Sequence, residues 1–91
     1  MKLGSSFMSA IYLGPSPSGK TKMFEIAAEG GGGVTLGTVK WYAPWRRFCF
    51  FATNGAALFD AGCLRALGDF CAAETDAQKQ RQKERRVKVS G

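Results

Sequence analysis

The sequence predicts an α+β fold, an antiparallel β-meander of three to five strands with one C-terminal amphipathic helix packed on one face. Two patterns carry this reading. Between residues 9 and 53, short runs rich in β-branched and aromatic residues alternate with clusters of Gly, Pro, Ser and Asn, which is strand-and-turn punctuation. From residue 60 onward, Cys63, Leu64, Leu67, Phe70 and Cys71 recur at helical spacing with Arg65 and Asp69 off that stripe. The length of 91 residues then restricts the chain to one core, because a chain this short buries only about 60 to 65% of its unfolded surface.

The elements follow in order. "SAIYLG" (9–14) reads as a strand and the Pro, Ser and Gly cluster at 14–19 as a turn. "KTKMFEIAAE" (20–29) is too short before four glycines to make a convincing helix and reads as a second strand, with Gly30 to Gly33 as its hairpin loop. "VTLGTVKWYA" (34–43) alternates from Thr38, so that Val39 and Trp41 share one face and Lys40 and Tyr42 the other; Gly37 sits where the alternation slips and predicts a bulge. Pro44 ends that strand, and "RFCFFAT" (47–53), apolar on both sides, reads as a central strand. Asn54-Gly55 predicts a tight turn back into a further short strand, "AALF" (56–59), before Asp60 caps the helix. Beyond Glu74 the stripe stops, and "TDAQKQRQKERR" continues as helix on propensity alone and frays. The organisation expected is a leader or flexible arm at 1–8, one α+β domain at 9–76 and a basic tail at 77–91.

Composition excludes several function classes. Hydrophobic residues make up 45% of the chain and include seven Phe, two Tyr and two Trp, so it folds around a core. No apolar run approaches the roughly 18 residues that span a bilayer, and "MKLGSSFMSA" lacks the apolar region of a secretory signal, which points to a cytoplasmic protein with Met8 as an alternative start. Cys49, Cys63 and Cys71 are odd in number and widely spaced, and there is no histidine, so neither a disulfide framework, a metal site nor a Cys–His nucleophile is expected. Seven carboxylates without a paired spacing give no acid–base couple. The expectation is a protein that is not an enzyme and needs no cofactor.

One motif invites the opposite conclusion. Residues 14–21, "GPSPSGKT", satisfy the phosphate-loop pattern G-x-x-x-x-G-K-[ST] letter for letter. A working phosphate loop runs straight into a helix whose N-terminal N–H groups face the ligand. Here Pro15 and Pro17 remove N–H groups, and only a short segment follows before the glycines. A hairpin loop is the better reading.

Two basic features remain. In "VKWYAPWRRFCFF" (39–51), Lys40, Arg46 and Arg47 interleave with Tyr42 and Trp45, the combination that stacks on unpaired bases while neutralising phosphates, with Trp41 assigned to the core. Residues 79–91 hold Lys79, Arg81, Lys83, Arg85, Arg86 and Lys88 against Glu84 alone, a net +5 of the chain's +6. Such a segment adds salt-sensitive affinity for nucleic acid and, lacking a bulky apolar face, is not a membrane anchor.

The segments "KTKMFEI", "LGTVKWYAPWRRFCFF" and "LFDAGCLRALGDF", within about residues 20–71, resemble small proteins of bacterial phages, prophages and other mobile elements, a group with no assigned activity, so the resemblance implies a setting and no site residue. The order of several antiparallel strands followed by one helix is also similar to the Pur-type and transcriptional-coactivator folds that bind single-stranded DNA, often as dimers. The expectation is therefore a small protein that binds nucleic acid, single-stranded, through Lys40, Tyr42, Trp45, Arg46 and Arg47, helped by Lys79, Arg81, Lys83, Arg85 and Arg86. The alternative is a mobile-element accessory protein that modulates a host protein. Homodimerisation fits either, since so small a domain can complete its core with a second copy.

Overall fold

The computed structural model describes residues 2–4, 7–29, 34–55 and 58–90, with side chains as far as Lys83. Strands β1 (Met8–Pro15), β2 (Lys22–Ala28), β3 (Thr35–Tyr42) and β4 (Arg47–Ala52) form one antiparallel sheet in the order β1-β2-β3-β4, followed by helix α1 (Ala61–Ser90). This is the α+β meander with one C-terminal helix. Among the described residues no helix is long and apolar enough to cross a membrane.

Period-two alternation sorts the sheet into two faces. Pairing sets Ala10 opposite Ile26, Phe24 opposite Val39, and Trp41 opposite Phe48, so these side chains line one face. That face carries the core, in which Ile26 and Val39 are fully buried, together with Phe24 and Phe48. Helix α1 covers it with Leu67 and Phe70, the Phe70 ring meeting Phe24 edge-on at 5.0 Å. The bulge expected at Gly37 falls beside it, at the register shift opposite Ile26 and Ala27. Gly37 also leaves no room for a side chain: a Cβ there would run into the Phe51 backbone carbonyl and stand 2.7 Å from two carbons of the Phe50 ring.

The glycine-rich motif is a hairpin, not a phosphate loop. Its N–H groups are engaged within the turn, Ser16 N donating to the Thr21 carbonyl at 2.7 Å and Gly19 N to the Ser16 carbonyl at 2.8 Å. Gly14 takes a positive φ of 112° at the bulge where β1 shifts register against β2, and Gly19 one of 74° in the turn. The chain then enters β2 directly, so no helix dipole faces the loop.

Several expectations are corrected. Strand β4 lies at the sheet's edge rather than its centre. It is apolar on both sides because α1 packs on its inner face while Phe51 joins an aromatic cluster on the outer one. The turn at Asn54-Gly55 does not return a strand: Leu58 and Phe59 have no regular structure, and the chain crosses to the helix with Phe59 packed on Phe50. Ala56, Ala57 and the Gly30 to Gly33 loop lie outside the described residues. Leu3, in the segment read as an arm, is 3% exposed and belongs to the core, with its N–H donating to the Met8 carbonyl at 2.9 Å beside a Lys2–Ser9 bridge.

Helix α1 starts as read, with Asp60 as its cap: the Cys63 N–H donates to Asp60 Oδ1 at 2.8 Å. Its contact stripe winds round the helix, from Cys63 and Ala66 at the start to Thr75 and Gln78 further on, which leaves Leu64 exposed at 58%. Nor does packing end at Glu74. The Thr75 hydroxyl accepts the Phe48 N–H at 2.9 Å, taking up one donor on the open edge of β4. Gln78, only 3% exposed, donates through Nε2 to the Lys20 carbonyl at 3.3 Å and ties the helix to the tip of the β1–β2 hairpin. The helix thus holds the sheet over two turns that carry no apolar signal.

Candidate nucleic-acid interface

The second face of the sheet holds Glu25, Thr38, Lys40, Tyr42, Cys49 and Phe51, by the same pairing that builds the core face. No described element packs over it, and each of these side chains remains at least partly accessible. Antiparallel direction brings the β1–β2 hairpin and the β3–β4 turn to the same end of the sheet. The functional candidates gather there.

An aromatic row leads across the open face to that end. Tyr42 is its centre, with the Phe51 ring 6.0 Å away and the Trp45 ring 5.1 Å away, both edge-on. Trp45 stands in the 3₁₀ turn Ala43–Trp45, where Pro44 has broken the ladder, and is 64% exposed. Lys40 holds its ammonium 4.6 Å from the Phe51 ring centre, a cation–π contact that keeps the charge on the face. Arg47 pairs with Tyr42 on the same side and donates from Nε to the Trp45 carbonyl at 3.3 Å. Beside the row, a groove of about 490 Å³ runs between the hairpin tip and β3, lined by Ser16, Thr21, Met23, Lys40, Tyr42 and Phe51.

Arg46 departs from this group. It takes a left-handed conformation, φ 54°, and its N–H reaches back to the Tyr42 carbonyl at 2.9 Å. Its side chain lines a second cleft, of about 410 Å³, with Lys79, Gln82 and Lys83 of α1. Lys79, Gln82 and Lys83 sit at i, i+3 and i+4 and so share one helix face. The single sequence-level surface is therefore two adjoining ones, an aromatic row and a basic cleft, meeting at Trp45 and Arg46. Arg81 takes no part in the cleft, donating instead to Gln78 Oε1 at 2.6 Å. The side chains of Arg85 and Arg86 lie outside the described residues.

Phe51, Met23 and Gln82 were not singled out from the sequence. Phe51 was recognisable as lying opposite Phe48 and Phe50 on its strand, but only the β3–β4 register shows that this places it with Lys40 and Tyr42. Gln82 was within reach of helical spacing from Lys79.

The remaining titratable groups suit structure better than chemistry. Burial, with a contribution from Cys49, pushes the Cys71 thiol up to about 11, so it keeps its proton at neutral pH. The Cys63 N–H holds the Asp60 carboxyl below its usual value, as a cap does. Among the described residues no cluster of Cys, Asp and Glu could hold a metal ion. Compared with known protein families, curated proteins and solved structures, the chain has no significant match.

Proposed function

We propose that this protein binds single-stranded nucleic acid on the open face of its sheet. The observation that carries this reading is the row of half-buried Phe51 and Tyr42 and exposed Trp45, flanked by Lys40 and Arg47 on an uncovered face. Unpaired bases present flat π surfaces to such a row, while the cations beside it meet the phosphates. A duplex hides those surfaces in its stack and offers the row only backbone. The adjoining cleft and the basic C-terminal segment add affinity that does not depend on base identity. Nothing in this reading calls for a catalytic group.

The test is fluorescence anisotropy of labelled single-stranded and duplex oligonucleotides at two salt concentrations. Single strands should bind more tightly and quench tryptophan emission. Trp45→Ala should cost about 1 to 3 kcal/mol of binding free energy, the worth of one stacked base. Arg46→Ala combined with Arg47→Ala should weaken binding further. Equal affinity for duplex and single strand, unaffected by Trp45→Ala, would rule out stacking as the mode.

A second reading has its own support. Ile11, Tyr12 and Leu13 form an exposed apolar run on β1, of the kind a protein partner covers. In that case the protein is an accessory factor of a mobile element acting on a host protein, or it pairs with a second copy. Indifference to oligonucleotides at low salt would favour it.

A further inference from the structure

We infer that the cleft between Arg46, Lys79 and Lys83 receives a phosphomonoester, the terminal phosphate of a bound single strand. This rests on the nucleic-acid reading and gives one part of the surface a separate task. Three features meet at this one place. Arg46 is the one described non-glycine residue with positive φ, a conformation that glycine adopts without steric cost. Lys79 and Lys83 are neighbours at i and i+4 with like charge, an arrangement that repels. Among the described residues, no carboxylate approaches Arg46, Lys79 or Lys83 within ion-pair distance; the ion pair seen is Lys2 with Glu29, elsewhere in the fold. A bound anion relieves the second and third of these and gives the first a purpose, since the left-handed turn accompanies the entry of the Arg46 side chain into the cleft.

The charge count selects the anion. A phosphomonoester carries about −1.5 to −2 at neutral pH with three acceptor oxygens, whereas an internal phosphodiester carries one charge. Three cations and the Gln82 amide, an additional donor, match the former. Position selects a strand end. Arg46 directly follows Trp45, the last aromatic of the row, and α1 walls the far side of the cleft. A strand stacked along Phe51, Tyr42 and Trp45 presents its end to the cleft and does not continue through it. Free phosphate shares this chemistry, so the test separates the two sources.

The full chain, bound to a labelled oligodeoxythymidylate at low salt, is titrated with unlabelled competitors. These are the same strand with a 5′-phosphate, with a 3′-phosphate or with hydroxyls at both ends, and inorganic phosphate. One phosphorylated end should compete roughly tenfold better than the unphosphorylated strand. That preference should disappear in Lys79→Gln with Lys83→Gln, and in Arg46→Gly. Because glycine relieves the left-handed conformation, Arg46→Gly should hold or raise the melting temperature, which separates lost recognition from lost folding. Equal competition by all three strands overturns the assignment of the cleft and leaves the nucleic-acid reading standing. Failure of every strand to bind overturns both. Inorganic phosphate competing as well as the phosphorylated strand would make the free anion the ligand and overturn the strand-end assignment.

Discussion

Gly37 is the residue on which the two faces of the sheet depend together. It is buried on the core face between Ile26 and Ala52, next to the bulge that resets β3 against β2, and the Phe50 ring lies over it where any Cβ would stand. The ring is in turn the platform for Phe59, which brings the chain from the sheet to the helix. Gly37→Ala forces the ring or the strand to shift and should destabilise the fold by about 1 to 3 kcal/mol, as overpacking does, measured by denaturant unfolding. A cost below about 0.5 kcal/mol would mean that both the Phe50 ring and the β4 backbone at Phe51 give way freely and that the close approach is incidental. The slip in alternation that marks Gly37 was visible in the sequence, and so were the faces of Val39, Lys40, Trp41 and Tyr42. What the slip could not reveal was the aromatic partner, because Phe50 reaches Gly37 across a register that only the folded sheet defines. Tyr42, Trp45 and Arg47 were legible for the opposite reason: alternation and one proline are local, and local geometry suffices to place them.

Among the elements, α1 departs furthest from its sequence pattern. Its apolar stripe ends at Cys71, yet two polar side chains carry the packing onward, Thr75 to the β4 edge and Gln78 to the Lys20 carbonyl. Apolar periodicity cannot detect such contacts, which satisfy backbone groups and do not bury methyl groups. Apolar residues on both sides made β4 read as central: α1 packs on one face and the Tyr42–Phe51 cluster lines the other, so the strand is apolar on both with only β3 as its neighbour. Of the further strand read at 56–59, the described residues Leu58 and Phe59 form no strand, and Phe59 packs on Phe50 instead. If Thr75 takes up this donor on the β4 edge, Thr75→Val leaves the Phe48 N–H without its acceptor in a nearly isosteric side chain. The loss should be about 1 to 3 kcal/mol, with the Phe48 amide among those whose hydrogen exchange accelerates most. Unchanged exchange at Phe48 would show that water replaces the hydroxyl and that the helix does not protect this edge donor.

Across the whole molecule, basic charge gathers at one end. The hairpin tip, the β3–β4 turn and the second half of the helix bring Lys20, Lys22, Lys40, Arg46, Arg47, Lys79 and Lys83 to one end, with Asp76 and Glu74 as the acids beside them. In the middle of the open face Glu25 accepts a hydrogen bond from Thr35, and at the other end Glu29 accepts one from Ser9 and pairs with Lys2. Helix α1, at about 1.5 Å per residue some 45 Å long, runs well past strands of about 26 Å and carries the basic segment with it. A polyanion approaching this field is steered to the basic end and meets the aromatic row there. The field also sets a number. If Lys40 and Arg47 each neutralise one backbone phosphate and the three cations of the cleft together neutralise the terminal one, whose charge is about −2, the logarithm of single-strand affinity should fall with the logarithm of salt with a slope of about −3. Replacing Lys79 and Lys83 by Gln should bring it about 1 to 1.5 closer to zero, whereas Trp45→Ala should lower affinity at every salt concentration and leave the slope alone. A slope that survives the lysine substitutions but flattens when 79–91 is removed would place the contacts further along the helix. A slope altered by Trp45→Ala would mean that the aromatic row and the cleft act as one surface, with stacking required before the phosphates are held.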